Sequence, residues 1–418
     1  MFSLTNYRIG FFLAVRQIRR SSIWTNTLII SVMVLTFLNL VVVSGILVGL
    51  IQGAVDAVRE QYTSDILIST PLNKTYIENS PEVLAILARD PRILGYTPRY
   101  TQGATLEASY KEQHKETEKV NIASASIAGI NPLAEDKVTG ISKYIVEGSF
   151  LAPDDYDQVV LGSYLLKKYF PMESSVFTTL DNVEPGTKIR ITLNGIKHEV
   201  TVKGIIKSKV DEINMKVFMV DSQLRNMMGR NDYAVNEVAI KLKPNVDPVA
   251  VRDSLVAQGI DRVARVQTFS DAEPKFIKDM IDTFAILGNL ISSIGLVVAS
   301  ITIFIVIFIN AITRRKFIGI LKGIGISGEA IEISYILQSF FYAIMGSIIG
   351  IFIVYAVLEP LITAYPIDFP FSDGILVAPI SSTLLRMSLL IIATIFAGYI
   401  PARMIVRKNT LDSILVRK

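Results

Sequence analysis

The chain has no cysteine, and only two histidines, His114 and His198, among its 418 residues. The missing thiols exclude disulfide frameworks, Cys-ligated zinc, iron–sulfur clusters and thiol catalysis. They also suit a folded part that faces an oxidising space, where no thiol can mispair. Two histidines are too few for a His-built metal site, and both sit in polar surroundings (EQHKE and GIKHEV) typical of surface residues. Charge is scarce as well. Asp, Glu, Lys and Arg make up 19% of the chain, against about 25% in an ordinary soluble domain. The net charge of +4 is small, so bulk charge argues for no nucleic-acid partner. The dipeptide Gly-Lys never occurs, which excludes a P-loop within these residues. There is no G-x-S-x-G, no H-E-x-x-H and no repeated Asp/Asn calcium loop. The expectation is a chain with no catalytic residue, no cofactor and no metal of its own.

What the chain has instead is apolar residues, at 50%, with a mean hydropathy of +0.44. Four stretches hold most of them: 23–51, 284–312, 333–358 and 389–400, the last starting near Thr383. A membrane helix needs about 20 mostly apolar residues. The first three meet that; the fourth has Arg386 near its start, a side chain long enough to reach the interface. The first stretch is too long, too far from the N-terminus and too poor in small-x-small sites for a cleaved signal peptide. Lys and Arg near the spans set the orientation. Residues 1–22 carry Arg8, Arg16, Arg19 and Arg20 and no acid. The 313–330 connection carries Arg314, Arg315, Lys316 and Lys322 against Glu329. The 401–418 tail is also basic, and the loop between spans three and four holds acids without a base. One arrangement fits: 1–22, a cytoplasmic amphipathic helix; spans at 23–51, 282–312, 331–358 and 383–400; 313–330 and 401–418 cytoplasmic; 52–281 and the short loop 359–382 outside. The protein is expected to be a multi-pass component of the cytoplasmic (inner) membrane.

Segment 52–281 reads as an α+β domain inserted between the first two spans, large enough for its own core. Strands are expected at 65–69, 120–130 and 158–161, and as a hairpin of 188–193 and 197–206 joined at Asn194-Gly195. Helices are expected at 81–89, 164–169 and 247–258, the last opening on Asp-Pro. Asp154, Asp155 and Asp157 form an acidic cluster that reads as a solvated turn ahead of a cation site. Residues 110–119 read as a charged hairpin tip or short helix. Nothing in the segment has the pattern of an active site.

The middles of the spans carry no ionisable group, which disfavours an ion- or proton-coupled carrier. Their polar groups are Asn39, Asn289, Asn310 and Gln338, residue types that bond neighbouring helices. Gly346 and Gly350 form a small-xxx-small face for close helix packing. The 313–330 connection, TRRKFIGILKGIGISGEA, sets apolar positions among Lys and Gly. A short amphipathic helix there would lie on the membrane surface or fit a groove on a partner; a turn-rich, positive-inside loop is the plainer reading.

The same connection resembles the MacB/FtsX/LolC-like permeases, the four-span subunits of type VII ABC transporters. The family pattern there is close to R-x-R-E-I-G-x-L-K-A-L-G-A-S. Arg314, Lys316, Ile318, Gly319, Leu321, Lys322, Gly325 and Ser327 match it. Phe317 stands in place of one family glutamate, and Gln338 in place of the next. The C-terminal G-x-x-P-A-R pattern is met by Gly398, Pro401, Ala402 and Arg403, while Thr410 replaces a later proline. QVVLGSYLLKKYF and the stretch from Pro185 to Ser208 are similar to the family's periplasmic core. The resemblance implies a permease subunit that is not itself an enzyme. It would pair with a second copy or a paralogue and dock a separate P-loop ATPase, which binds ATP and Mg, through residues 314–327. The cycle would move the outside domain to release lipoproteins or to export peptides or drugs, or would transmit motion without translocation through this chain. A periplasmic adaptor is a further implied partner. The competing reading is a membrane-anchored sensor that binds an extracytoplasmic ligand.

Overall fold

The computed structural model describes residues 4–110, 120–171, 178–272, 275–365, 369, 372 and 376–407. The expectation for 110–119 therefore falls almost wholly outside the described residues. The chain divides into two compact units, Met1–Gly53 with Asp279–Lys418, and Ala54–Lys278.

The first unit is helical. An N-terminal helix, Leu4–Arg20, precedes four helices long and apolar enough to span a membrane: Ile23–Thr63, Asp282–Thr313, Gly328–Ala364 and Ile380–Val406. The first has 41 residues. At 1.5 Å per residue it is about 60 Å long, twice the roughly 30 Å hydrocarbon core. Its apolar run ends at Ile51, so its last turns belong to the domain that follows. Single π-turns at Asn39–Val43, Arg59–Thr63 and Val354–Leu358 interrupt the long helices. The core is built from Met33, Phe37, Ile303, Ile307, Tyr335 and Leu390, among others.

Glycines set how closely these helices approach. A Cβ on Gly346 would stand 2.3 Å from the Met33 Cβ, and one on Gly350 2.3 Å from the Phe37 ring. The Gly346/Gly350 face is therefore filled by the first span of the same chain. Gly398 on the fourth span would meet the Ser339 Oγ at 1.9 Å. In lipid no hydrophobic effect drives helices together, so close backbone approach and polar contacts do that work. Gln338 donates to the Gln17 side chain, Tyr342 OH to Asn26 Oδ1 at 2.8 Å, and Arg386 to the Ser44 Oγ. Arg386 thus ties the start of the fourth span to the first. Asn289 is exposed and Asn310 half-buried.

The second unit is an α+β domain around a ten-stranded sheet. The strands are β1 (Ile66–Ser69), β2 (Ile93–Ala108), β3 (Ile122–Ile130), β4 (Ile145–Gly148), β5 (Gln158–Gly162), β6 (Lys188–Leu193), β7 (Ile196–Ile206), β8 (Lys216–Val220), β9 (Glu237–Leu242) and β10 (Arg265–Thr268). Their order is β10-β1-β9-β2-β3-β8-β5-β7-β4, with β6 on β2 and β7. β2 joins two halves. Ile93–Arg99 pairs with β9, and Tyr100–Glu107 pairs with β3. One core, with Leu106, Ile127, Ile191 and Val217, lies over β2, β3, β6, β7 and β8; another, with Ile68, Leu87, Ile240 and Leu255, seats the helices Ser80–Arg89 and Pro248–Ala257 on β1 and β9.

Local signals explain several elements. The β6–β7 hairpin turns at Asn194 (φ 46°) and Gly195 (φ 82°), the left-handed pair that a two-residue turn requires. Asp247 caps Pro248–Ala257 by accepting from Val249 N. The helix expected at 164–169 is not formed: a 3₁₀ turn, Ser163–Leu165, ends where Leu166 bridges to Leu180. The extended pairing of Leu166 competes with the helix and prevails.

β1 follows directly from the first long helix, and β10 leads toward the second. These two strands pair antiparallel, Ile66 with Thr268 through Ser69 with Arg265. The chain therefore enters and leaves the domain on neighbouring strands.

Candidate functional site

Two places in the fold gather polar and charged side chains from distant parts of the chain. The first is the connection between the second and third spans. It is folded around a helix, Arg315–Gly323. Ile318, Gly319 and Leu321 are buried, and Ile318 and Leu321 join the core of the helical unit. Arg314 precedes the helix as its N-cap, half-buried, and Lys316 is exposed. The helix ends in paired bonds, Ile326 N to Leu321 O at 3.0 Å and Gly325 N to Lys322 O at 3.0 Å. This is a Schellman closure, and it places Gly325 at φ 93°, where a side chain is strained. Ser327 then caps the next helix through Ala330 N and donates to Asn6 Oδ1 at 2.9 Å. Asn6 in turn donates to Glu329 at 2.9 Å. Lys322 Nζ donates to Val406 O at the end of the fourth span, at 2.9 Å, where a cation suits the helix C-terminus.

The connecting helix is thus fastened to the N-terminal helix, the third span and the fourth. The C-terminal pattern lies on that last partner. Gly398, Pro401 and Ala402 are buried in the helix Ile380–Val406, and Arg403 donates to Tyr399 OH at 2.7 Å.

The opposite face of the connecting helix is open. With the N-terminal helix it forms a groove of about 820 Å³. Phe12, Phe317 and Ile320 line it and are roughly half exposed, and Arg16, Arg20 and Lys316 rim it with no acid in the lining. The sequence marked Phe317 as a replaced glutamate; in the fold it turns that position apolar at the groove. Asn6, Phe12 and Gln17 were not singled out by sequence. Their contacts reach residues more than 300 positions away, so only the apolar spacing of 1–22 hinted at them.

The second place is where the first long helix enters the domain. Arg99 of β2 is 2% exposed and Glu135 fully buried. Arg99 donates to Glu135 from Nη2 at 2.6 Å and from Nε at 3.0 Å, and to Tyr62 O at 2.9 Å. Its Nη1 lies 3.7 Å from Glu237. Tyr62 OH donates to Glu237 at 2.9 Å and accepts from Lys216 Nζ at 2.9 Å. Both cations also sit on the Tyr62 ring, Arg99 at 4.8 Å and Lys216 at 4.6 Å from its centroid. Burial opposes the Glu237 charge, but Lys216 and Arg99 outweigh it and hold its carboxyl below the usual carboxylate range. Burial pulls the Lys216 ammonium below the ordinary lysine range, against the attraction of Glu237. Burial likewise opposes the Arg99 charge, and Glu135 holds its guanidinium above the ordinary value. Arg59, one turn earlier, binds Asp65 at 2.6 Å and lies 4.7 Å from the Phe269 ring just beyond β10. Sequence did not find this network, whose members are spread from residue 62 to residue 237.

The acidic cluster is occupied by neighbours: Asp155 binds Lys203 at 2.5 Å, and Asp157 accepts from Gln223 at 2.6 Å. Among the described residues no group of three His, Cys, Asp or Glu is placed to hold a metal ion.

Two family models match the chain. The family model of the MacB-like periplasmic core domain matches residues 35–258, and that of the FtsX-like permease C-terminal region matches 289–410. The macrolide export ATP-binding/permease protein MacB of Haemophilus ducreyi is 24% identical over 190 residues, 44% of this chain and 26% of that protein. The chain thus aligns with about a quarter of that relative's length. The periplasmic region of MacB from Actinobacillus actinomycetemcomitans superposes with a TM-score of 0.37 at 16% identity, covering 55% of this chain and 97% of that one. The extracellular domain of the noncanonic ABC-type transporter YknZ, from Gram-positive bacteria, gives 0.31 at 13% identity, covering 49% and 98%.

Proposed function

Since the chain belongs to the MacB/FtsX-like family of ABC transporter permeases, we propose that it couples a separate ATPase to conformational work by its extracytoplasmic domain. Both termini and the 313–330 connection lie in the cytoplasm on this reading. The ATPase, carrying ATP and Mg, seats on the groove between the N-terminal and connecting helices. An apolar floor rimmed by cations suits an acidic segment with an apolar face. Motion received by the connecting helix passes to the N-terminal helix and to spans three and four through Lys322, Ser327 and the buried Ile318 and Leu321. The first span carries it outward into the Tyr62 network. Two permease copies, or this chain and a paralogue, complete the transporter. The cargo is handled outside, as a lipoprotein released from the membrane or a peptide or drug handed to an export partner.

The observation that carries this reading is the connecting helix itself, fastened on one face to three other helices and open and apolar on the other. The test begins with the tagged chain purified in mild detergent and mass spectrometry of whatever accompanies it. A stoichiometric P-loop ATPase, stimulated by the permease, is expected. The double variant Phe317→Ser/Ile320→Ser alters only exposed apolar side chains and leaves the basic topology signals in place. It should lower that stimulation at least fivefold. Full stimulation by the variant sinks the assigned docking face; a chain that purifies alone under conditions that preserve transporter complexes sinks the transporter reading.

A further inference from the structure

The extracytoplasmic domain contains a cleft of about 710 Å³ whose lining is basic. Lys137, Lys143, Lys241 and Lys243 all face it. The fold brings them together for identifiable reasons. The helix Pro132–Thr139 ends at Gly140 with φ 64°, so the chain doubles back and Lys137 and Lys143 flank one turn. Gly95 of β2 pairs with Lys241 of β9, and a Cβ on Gly95 would stand 3.6 Å from the Lys137 side chain. The stem of Lys137 therefore crosses β2 at the point opposite Lys241. Asn245, at φ 64°, turns the chain just beyond Lys243.

None of the four lysines makes an ion pair among the described residues. Three acids and Arg59 share the lining with the lysines. Asp65 binds Arg59 at 2.6 Å and accepts from Leu242 N at 2.8 Å, and Asp136 accepts from Ser142 N at 2.9 Å. Glu60 is the remaining acid of the lining. Four ammonium groups around one cleft raise its positive potential and favour an anion. The volume is that of a site for a small organic molecule, much larger than one inorganic phosphate needs. Its edge also carries apolar surface: Leu94 is 44% exposed, and the half-buried Val246 lines the cleft with it. Cations beside an exposed apolar edge match an anionic amphiphile.

We propose that this cleft binds the phosphate-bearing headgroup of an anionic lipid. The lysines take the phosphate oxygens, and Leu94 and Val246 contact the glycerol and first methylenes. Lipid is available to a domain joined to membrane spans at both ends. The proposal rests on the membrane reading of the chain but not on coupling to an ATPase, so the two fail separately.

The test is calorimetric titration of the full chain in a neutral detergent with three probes: dihexanoyl phosphatidylglycerol, dihexanoyl phosphatidylcholine and inorganic phosphate. Phosphatidylglycerol should bind at least tenfold more tightly than the other two. The variant Lys137→Gln/Lys241→Gln/Lys243→Gln should weaken it at least tenfold. Lys74→Gln/Lys188→Gln/Lys197→Gln, with the same change in charge on other surfaces, should leave it unchanged. The single variant Lys243→Gln, exposed and unpaired, should give a smaller loss with an unaltered unfolding midpoint. Retained affinity in the triple variant, or an equal loss in the control, overturns the site. Equal binding of inorganic phosphate overturns the lipid assignment in favour of a free phosphate.

Discussion

The two units hold themselves together by different means. In the extracytoplasmic domain the tightest polar cluster is ionic: Arg99 is paired with the buried Glu135, and Arg99, Glu237 and Lys216 surround Tyr62. In the helical unit, the closest contacts are steric, Gly346 on Met33, Gly350 on Phe37 and Gly398 on Ser339, joined by amide or hydroxyl bonds such as Gln338 to Gln17 and by single charged donors such as Arg386 to Ser44. The difference follows from the surroundings. A charge can be buried in a water-surrounded domain if each partner is present and hydrogen-bonded. Inside lipid the cost of a charge is higher and packing is the available driving force. A single missing partner should therefore be severe in the domain, and a single added methyl group severe in the spans.

The largest expected effect is Arg99→Met. It leaves Glu135 buried without its cation and removes one of the two that face Glu237, a change worth about 3–5 kcal/mol. Thermal or chemical unfolding of the full chain in detergent, followed through the domain's near-ultraviolet signal, should show it. An unchanged midpoint would mean that the network contributes nothing net. Next is Gly398→Val. Its Cβ would fall 1.9 Å from the Ser339 Oγ, so the fourth span must shift, and overpacking of this kind costs about 1–3 kcal/mol. The companion variant Ser339→Ala should recover part of the loss; if it recovers none, the contact is not the cause. The smallest effect is a pH slope. The folded-state pKa of Glu237 lies below its unfolded value. Its contribution is therefore complete above the ordinary carboxylate range and is lost as pH falls through the folded pKa. Unfolding midpoints measured downward from pH 6 should fall, and Glu237→Gln should flatten the slope. An equal slope in the variant assigns the acid sensitivity elsewhere.

Much of this organisation was legible in the sequence, for physical reasons that differ by element. The spans showed because lipid requires long uncharged runs. The β6–β7 hairpin showed because its turn needs two left-handed residues and Asn194-Gly195 supplies them. Gly325 and Ser327 stood out in the connection, and each has a local backbone role, one closing a helix and the other opening the next. β2 did not show. Gly95, Pro98 and Gly103 interrupt it, and its stability comes from pairing with β9 on one half and β3 on the other. The expected helix at 164–169 reflected local propensity that the pairing of Leu166 overrode. The Tyr62 network was hidden because each member is an ordinary residue in its own segment. Only the sheet order brings β2, β8 and β9 to the end of one helix. The basic cleft was hidden likewise, since its four lysines lie in two segments about 100 residues apart.

The pairing of β1 with β10 has a consequence for how such a protein can arise and be rebuilt. Ile66 and Thr268 face each other across one ladder, so the ends of a segment of some 200 residues are as near as adjacent strands allow, about 5 Å. A module whose ends meet can be grafted into a loop at little cost in chain entropy, and its host needs only a short turn when it is removed. Relatives could exchange this module for another with the same two-strand root and keep the spans unchanged. A chimera made at that root exchanges the whole module through one pair of neighbouring strands.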